Sequence, residues 1–467
     1  MAYRTERDFL GEKQIPDDVY YGIQTLRGKE NFHITGMPVS REPCFVKAFG
    51  YVKKAAAMAN RDLGVLEPRI ADAIIGGCDR LIAGELLDQF VTDFIQGGAG
   101  TSTNMNANEV IANLALESLG HKKGEYQYVN PNDHVNFGQS TNDVYPTALH
   151  LGLSLRLGSY MEALRQLREA FFAKGREFDT VLKMGRTHLQ DAVPMSLGAE
   201  LHGWGTTIGE EVDRLAGIQK ILHCINLGAT AIGTTVTAAP GYPALATKHL
   251  SDITGIEFSQ AEDLIEATSD TGDYVLLSSV LKHTSTKLTK ICNDIRLLAS
   301  GPRCGLNEIN LPQMQPGSSI MPGKVNPVMP EVVNQTGFLV IGFDLTVTLA
   351  ASAGQLQLNV MEPVITFALF ASITMMERAV TTLRVHCVQG MTANPERTRD
   401  MVLDSLGIVT VLKPSLGYKQ CAEIAREGYE TGKSLHEIVV KERKLLTQEK
   451  WDEVFSFENL ISPKFEA

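Results

Sequence analysis

Residues 149–171 of the chain read LHLGLSLRLGSYMEALRQLREAF, and their apolar pattern settles the fold class. Part of this stretch alternates like a β-strand, with leucines at positions 151, 153, 155 and 157. A second apolar series recurs at every third or fourth position over more than about five helical turns. Strands of that length are uncommon, so the stretch is predicted to be a long helix. The second series consists of Leu149, Leu153, Leu157, Met161, Leu164, Leu167 and Phe171.

Four further stretches are predicted to form long helices. They are 196–222, 277–298, 328–355 and 362–390. Long apolar seams are typical of antiparallel bundles that are buried further by association with copies of the same chain. Residues 337–353 are apolar enough to suggest a membrane span, but they are too few, and Asp344 and three hydroxyl residues interrupt them. We therefore expect a helix that is buried on all sides.

Shorter elements flank this bundle. Residues 1–40 show little periodicity and are expected to be irregular, and the segments shorten again after residue 393. Three more helices are predicted at 43–60, 68–87 and 104–119. The fold class is therefore all-α, with three domains. These are a mostly helical N-terminal domain at 1–140, a central long-helix bundle at 141–393 and a small C-terminal helical domain at 394–467.

Composition argues against several classes of protein. The formal net charge of −11 disfavours nucleic acid and anionic membranes as partners. The seven cysteines include no Cys-x-x-Cys pair, and the N-terminus has no apolar signal stretch, so we expect reduced thiols and a cytoplasmic protein. Metal-binding, P-loop and dinucleotide motifs are missing from the sequence, so neither a metal nor a cofactor is predicted.

Four short motifs share one pattern, in which a glycine is followed by hydroxyl residues. They are 100–104, 138–143, 185–188 and 317–319. Glycine allows a tight turn, so each motif is a candidate nest of backbone N–H and O–H donors. A single such motif is usually only a helix cap. Four in one chain favour a shared anionic ligand, and a compound with two carboxylates suits these donors, with Lys324 adding a positive charge.

The fourth motif opens the segment 317–327, GSSIMPGKVNP, whose prolines and glycines exclude a helix or strand interior. Asn326 is a predicted N-cap, Pro327 lies in the first turn of the next helix, and Glu331 lies near its positive end. A polar surface loop is the alternative reading. His188 is a second candidate because it lies in a polar turn, although a hydrogen-bonded structural histidine would have the same pattern.

The segment 317–327 resembles the signature of the fumarase/aspartase superfamily, and the other three motifs resemble its remaining signature regions in the same order. The resemblance covers essentially the whole chain, including YYGIQTLR at 20–27. It implies an all-α homotetramer with a central twenty-helix bundle. It also implies active sites that are each assembled from three subunits and that bind a small dicarboxylate.

Within the superfamily, two stretches favour the aspartase branch. These are NPVMPE at 326–331 and GQLQLN at 354–359, whereas Gly323 and His188 are more similar to fumarases. Argininosuccinate and adenylosuccinate lyases usually have Lys-Arg-Asn-Pro at 324–327, whereas this chain has Val325 in place of the arginine. Phe343 stands where both branches are expected to have Asn, next to Asp344. The longer stretches carry more weight.

This branch implies reversible deamination of L-aspartate to fumarate and ammonia, through abstraction of a Cβ proton and an enediolate intermediate. Fumarate hydratase is the alternative enzyme. A non-catalytic, crystallin-like protein is disfavoured because the 317–327 signature is intact.

The resemblance also implies a role for each motif residue. Ser318 is the general base, although the residues by themselves leave His188 open for that role. Thr101, Ser140, Thr141 and the Ser319 N–H surround the enediolate; Lys324, Asn326 and Thr187 hold the other carboxylate; Asn142 and His188 meet the amino group; and Glu331 orients His188. The prolines and glycines of 312–327 predict a loop that closes over substrate.

Overall fold

A computed structural model of the chain describes residues 2–461, and 63% of the chain is helical. The predicted all-α class is confirmed, and all five predicted long helices are present. The helices are α1 Ile23–Asn31, α2 Pro43–Asp62, α3 Pro68–Ala83, α4 Thr101–Ser118, α5 Thr141–Glu177, α6 Leu197–Ile221, α7 Tyr242–Thr254, α8 Glu266–Ser269, α9 Gly272–Leu298, α10 Val328–Ser352, α11 Glu362–Leu383, α12 Pro395–Asp404, α13 Lys413–Thr431, α14 Gln448–Val454 and α15 Phe457–Ile461. Two antiparallel hairpins accompany them, β1 Tyr3–Asp8 with β2 Gly11–Pro16 and β3 Leu182–Thr187 with β4 Gln190–Ser196.

The chain forms two compact units, each built from three separate stretches of sequence. The first unit contains residues 2–162, 213–285 and 336–377, and the second contains residues 163–212, 286–335 and 378–461. The unit boundaries fall inside the five long helices, and not at residues 140 and 393. The sequential three-domain division therefore stays a prediction.

Aromatic side chains of α2, α5 and α11 form the centre of the first unit. Phe45 and Phe49 on α2 have ring centroids 5.1 Å apart, and Tyr145 on α5 lies edge-on at 5.4 Å from Phe45. Phe370 on α11 lies 5.4 Å from the same ring. Each such pair stabilises by about 0.5–1.5 kcal/mol beyond the burial of its area. These contacts fix the first turns of α5 against α2.

The second unit has a core of its own, in which β3 packs with the short C-terminal helices. Leu182 and Met184 of β3 join a buried cluster that includes Val402 and Trp451. The Trp451 ring stacks on Phe455 at 3.8 Å. The hairpin β3–β4 is therefore anchored through its first strand.

Glycines set two helix boundaries differently from the prediction. Helix α4 begins at Thr101, three residues earlier than predicted, after Gly100 with φ of 90°. Helix α3 ends at Ala83, before residue 87, because Gly84 adopts the left-handed conformation that terminates helices, with φ of 96°.

The expectation of an irregular chain over residues 1–40 is wrong, because β1, β2 and α1 lie there. The strand alternation is hidden because the inward-facing residue of β1 is charged. Glu6 is 3% exposed, and its Oε1 accepts a hydrogen bond from Arg4 Nε at 2.7 Å. Its Oε2 accepts from the Ile23 N–H at 2.8 Å, at the first residue of α1. A carboxylate here takes the place of the apolar residue that pattern analysis requires.

The expectation that α10 is buried on all sides is also wrong for the single chain. Phe338, Leu339, Leu345 and Leu349 are each between 55% and 61% exposed. By length and composition alone, α10 and α11 could both cross a membrane, a test that core helices of soluble proteins also pass. A face of this kind needs a covering partner, which explains why burial could not be judged from hydropathy.

Candidate active site

Three of the predicted donors in the first unit line one cavity. Thr101, Ser140 and Thr141 line an open cavity of about 440 Å³, here called the cradle cavity. Thr101 is the first residue of α4, and Thr141 is the first residue of α5. The N-terminus of a helix carries unpaired N–H groups and the positive end of its dipole, so two such ends at one cavity favour an anion.

Asp143 ties the start of α5 to a loop that forms another wall of the cradle cavity. Its Oδ1 accepts from the Ser140 N–H at 3.0 Å, and its Oδ2 accepts from the N–H groups of Gly228 at 2.9 Å and Thr230 at 3.0 Å. Burial raises the pKa of Asp143 to about 6, while these three N–H groups act in the opposite direction. Asp143 is the last residue of the motif 138–143, but no role was predicted for it.

Asn142 differs from its neighbours, since it is not among the residues that line the cradle cavity. Its Nδ2 donates to the carbonyl oxygen of Ala231 at 2.7 Å. Within residues 2–461, its Oδ1 makes no hydrogen bond, and this is the atom that could accept an N–H from an amino group.

Lys53 is the residue that sequence reasoning missed. It is 0% exposed on α2, and its Nζ donates to Asn136 Oδ1 and Gln139 Oε1, each at 2.9 Å. Both amides line the cradle cavity. Burial lowers the pKa of Lys53 to about 7, and the Asp143 carboxylate opposes that shift. Its position within the apolar pattern of α2 is the sequence feature that could have identified it as a buried lysine.

Asn104 connects this buried network to Thr141. Its Nδ2 donates to Thr141 Oγ1 at 3.1 Å and to Asn136 Oδ1 at 3.2 Å. The Thr141 hydroxyl oxygen is therefore an acceptor from Asn104, which leaves its proton free to be donated elsewhere.

In the second unit, Thr187 and His188 lie at the exposed tip of the hairpin β3–β4. His188 and Leu189 form its two-residue turn with φ of 55° and 61°. Such turns prefer Asn and Gly, because other side chains are strained at positive φ. Below the tip, Arg186 Nη1 pairs with Oε1 of the buried Glu308. The other oxygen of Glu308, Oε2, lies 3.0 Å from Lys183 Nζ. Buried ion pairs thus support a strained, exposed tip.

The loop that contains Ser318 supplies donors to that hydroxyl. Ser318 Oγ accepts from the N–H groups of Ile320 at 3.2 Å and Met321 at 3.0 Å. Ser318 is half-buried, whereas Ser319 and Lys324 are exposed. Two N–H donors on one oxygen stabilise negative charge there.

The predicted N-cap role of Asn326 is wrong. Its Nδ2 donates instead to the Gly317 carbonyl at 2.7 Å, and the Gly317 N–H donates to the Lys324 carbonyl at 2.7 Å. These bonds close the loop on itself before α10 begins at Val328. A Cβ at position 317 would lie 2.7 Å from the Asn326 nitrogen, so only glycine fits. Glu331 does lie in the first turn of α10, as predicted.

The predicted pair of His188 and Glu331 does not form within one chain, because no hydrogen bond or ion pair joins them among residues 2–461. The predicted site residues also divide between the two units. Thr101, Ser140, Thr141 and Asn142 belong to the first, and Thr187, His188, Ser318, Ser319, Lys324, Asn326 and Glu331 belong to the second.

Phe343 does not disturb its neighbour Asp344. The Phe343 ring packs edge-on against Phe367 at 5.8 Å. Asp344 is held from α9, where Ser278 Oγ donates to Oδ1 at 2.9 Å and Lys282 pairs with Oδ2.

Comparison with known proteins identifies the family. A lyase family model matches residues 11–342, and a model of the fumarase C C-terminus matches residues 408–462. The aspartate ammonia-lyase of Pseudomonas aeruginosa is 56% identical over 462 residues, which cover 99% of this chain and 97% of that protein. The chain belongs to the aspartate ammonia-lyase family. The enzyme of Escherichia coli K12 with the same name is 52% identical over 99% of this chain and 97% of its own length.

Solved structures agree on the fold of the family. The crystal structure of fumarate lyase:delta crystallin from Brucella melitensis bound to cobalt has a TM-score of 0.95 and 49% identity, and the match covers 98% of this chain and 99% of that one. Recombinant class II fumarase from Schistosoma mansoni has a TM-score of 0.91 and 34% identity, with 99% and 100% coverage. The predicted family is confirmed, and the stretches 326–331 and 354–359 were better guides to its branch than Gly323 and His188.

Proposed function

We propose that the chain catalyses the reversible deamination of L-aspartate to fumarate and ammonia. The observation that carries this proposal is the cradle cavity, where the helices α4 and α5 begin close to the buried Lys53, in a chain of this family. The cavity offers hydrogen-bond donors and two helix N-termini to a carboxylate, and the reaction requires such groups when a second negative charge develops on it.

Ser318 is the proposed general base. A serine hydroxyl is too weak a base unless its alkoxide is stabilised, and the N–H groups of Ile320 and Met321 supply that stabilisation. The Cβ proton moves to Ser318 Oγ, and the electron pair of the C–H bond moves into the neighbouring carboxylate to give the enediolate. The C–N bond then breaks, and its electron pair leaves with ammonia.

The other groups position the substrate. Thr101, Ser140, Thr141 and the Ser319 N–H surround the enediolate; Lys324, Asn326 and Thr187 hold the second carboxylate; and Asn142 and His188, the latter oriented by Glu331, meet the amino group. Removing one preorganised donor typically costs about a hundred- to a thousandfold in rate.

We also infer a cytoplasmic homotetramer in which three subunits contribute to each active site, with the three sequential domains described above. The exposed apolar face of α10 supports this assembly, as does the absence of a pair between His188 and Glu331 within residues 2–461. Neither nucleic acid nor a membrane is a proposed partner.

The test is the ultraviolet absorbance of fumarate when purified enzyme is mixed with L-aspartate and, separately, with L-malate. Fumarate formed from aspartate alone is the expected result. Fumarate formed from malate alone would instead establish the alternative, fumarate hydratase, which Gly323, His188 and the match to the fumarase C C-terminus favour.

A further inference from the structure

The first unit contains another polar cavity, of about 320 Å³, here called the acidic cavity. It lies beside the third turn of α5 and the starts of α9 and α11, and no residue lines both this cavity and the cradle cavity. None of the roles proposed above involves the groups that line it.

Two buried polar atoms in the acidic cavity have no hydrogen-bond partner in the part of the chain that the structure describes. Glu362, the first residue of α11, is 5% exposed, and its Oε2 makes no hydrogen bond within residues 2–461. Tyr274 on α9 is 2% exposed, and its hydroxyl is also unpaired in that part of the chain. An unpaired buried polar group costs about 1–3 kcal/mol, and more if it is charged. Both groups line the cavity, so a ligand there could satisfy them.

The charge of the cavity favours a cation. Glu266, Asp270 and Asp273 also line it, against the single lysine Lys220. His150 adds no positive charge, because burial lowers its pKa to about 4 while its Nδ1 bonds the Cys224 carbonyl at 2.9 Å. Burial raises the pKa of Glu362 to about 8. Below that pH, and without a counter-ion, most of this carboxyl is protonated.

The geometry does not suit a chelated metal ion. Among residues 2–461, no group of three or more His, Cys, Asp or Glu side chains is placed to hold one. An ammonium-type cation needs only separate acceptors for its N–H groups, and a carboxylate and a phenol oxygen provide them.

We propose that the acidic cavity binds a small ammonium-type cation, with the Glu362 carboxylate as its counter-ion and the Tyr274 hydroxyl oxygen as a further acceptor. Asn226 lines the cavity and donates from Nδ2 to the Asn142 carbonyl at 3.1 Å, so the cavity adjoins the residue proposed to meet the substrate amino group. The identification of ammonium itself as the cation rests on the proposed function. Binding of an ammonium-type cation does not.

The test is thermal unfolding of the intact protein at about pH 8, without aspartate or fumarate, in ammonium chloride and in sodium chloride of equal ionic strength. Ammonium is expected to raise Tm saturably above the sodium value. In Glu362→Gln, the ammonium concentration for half of that rise should increase at least about tenfold, the effect of losing one charged partner. Tyr274→Phe, which removes an unpaired hydroxyl and little packing, should increase it by a smaller factor. Thr141→Ala, in the cradle cavity, should leave it unchanged.

Each other result overturns the proposal. An unchanged ammonium concentration for half of the Tm rise in Glu362→Gln would show that the cation does not bind at Glu362. If that variant does not fold, the same result in Tyr274→Phe would exclude the site. Equal effects of sodium, or a larger effect of magnesium, would replace the ammonium-type cation by another ion. Loss of the effect in Thr141→Ala alone would place the cation in the cradle cavity. Failure to form fumarate from aspartate would overturn the proposed function and leave this measurement intact.

Discussion

At the scale of single residues, the chemistry depends on how neighbouring groups change ordinary side chains. Ser318 Oγ accepts hydrogen bonds from two backbone N–H groups, and Lys53 is buried among amides. Glu362 is buried, and its Oε2 has no hydrogen-bond partner among the described residues. In each case the surroundings change the free energy difference between the protonated and deprotonated forms. Each residue therefore yields a separate prediction.

Ser318→Ala should lower kcat for fumarate formation at least about a thousandfold and leave KM within about threefold, because a general base acts in the transition state. Ser319→Ala is the matched control. Its backbone N–H, and not its hydroxyl, is the proposed donor, so the variant should keep most of its activity. A fall of less than tenfold in Ser318→Ala would exclude this base.

Lys53→Met should raise KM for aspartate at least about tenfold, because it removes a buried amine donor beneath an anion site and leaves Gln139 Oε1 without its partner. Lys54→Met is the control, since Lys54 pairs on the surface with Asp79 at 2.6 Å. Steady-state kinetics of both variants decide the matter. Equal KM values for Lys53→Met and Lys54→Met would show that Lys53 does not contribute to substrate binding.

Glu362→Gln should change how stability depends on pH. The carboxyl pKa rises from its usual 4.5 to about 8 on folding, so between these values the folded state holds a proton that the unfolded state has lost. Wild-type stability therefore falls as pH rises through this window, and the glutamine variant lacks that contribution. In sodium buffers, Tm of the variant relative to wild type should increase from pH 5 to pH 8. A constant difference would contradict the buried, unpaired carboxyl.

At the scale of elements, the hairpin β3–β4 combines a rigid base with a strained tip. Its first strand packs into the C-terminal core, and Arg186 and Lys183 pair with Glu308. Strain that persists at such a tip suggests that position matters more than stability there. The helices α4 and α5 act differently, since each presents its first residue to the cradle cavity.

Leu189→Gly should stabilise the chain by a few tenths to about 1 kcal/mol. Relief of positive φ is worth about 1–2 kcal/mol, and the greater freedom of unfolded glycine offsets about 0.4–1 kcal/mol of that. Val193→Gly on β4 is the control, because Val193 is comparably exposed and lacks positive φ, so it should destabilise. Chemical denaturation measures both. Equal destabilisation by the two changes would mean that the tip is not strained.

At the scale of the whole molecule, the exposed face of α10 determines the assembly that we expect. Four large apolar side chains are more than half exposed along this helix, which is more than a lone chain tolerates in water. The active site that we propose also takes residues from three subunits. Assembly and catalysis should therefore be lost together.

Phe338→Asp should convert the proposed tetramer into smaller species and abolish fumarate formation, because a charge would be buried in the proposed subunit interface. Light scattering after size-exclusion chromatography measures the mass. Phe9→Asp, on the exposed turn between β1 and β2, should remain tetrameric and active. A Phe338→Asp tetramer with full activity would contradict the proposed interface.

Local patterns were sufficient for much of this protein. The apolar period of residues 149–171 predicted α5 despite its strand-like leucines. The glycine-hydroxyl motifs singled out Thr101, Ser140 and Thr141, which line one cavity. Ser318 was singled out by family resemblance, since nothing in a serine's own sequence context distinguishes a base from a surface hydroxyl.

Other features depended on groups far apart in the chain. Lys53 is held by Asn136, 83 residues away, and Asp143 by a loop 85 residues away, so neither desolvation nor hydrogen bonding could be read locally. Strand β1 was not predicted, because its buried residue Glu6 is charged. Hydrogen bonds from Arg4 and from the Ile23 N–H allow this carboxylate to be buried. Periodicity is carried by neighbouring residues and survives in sequence, whereas burial and its effect on charge arise only when distant segments pack together.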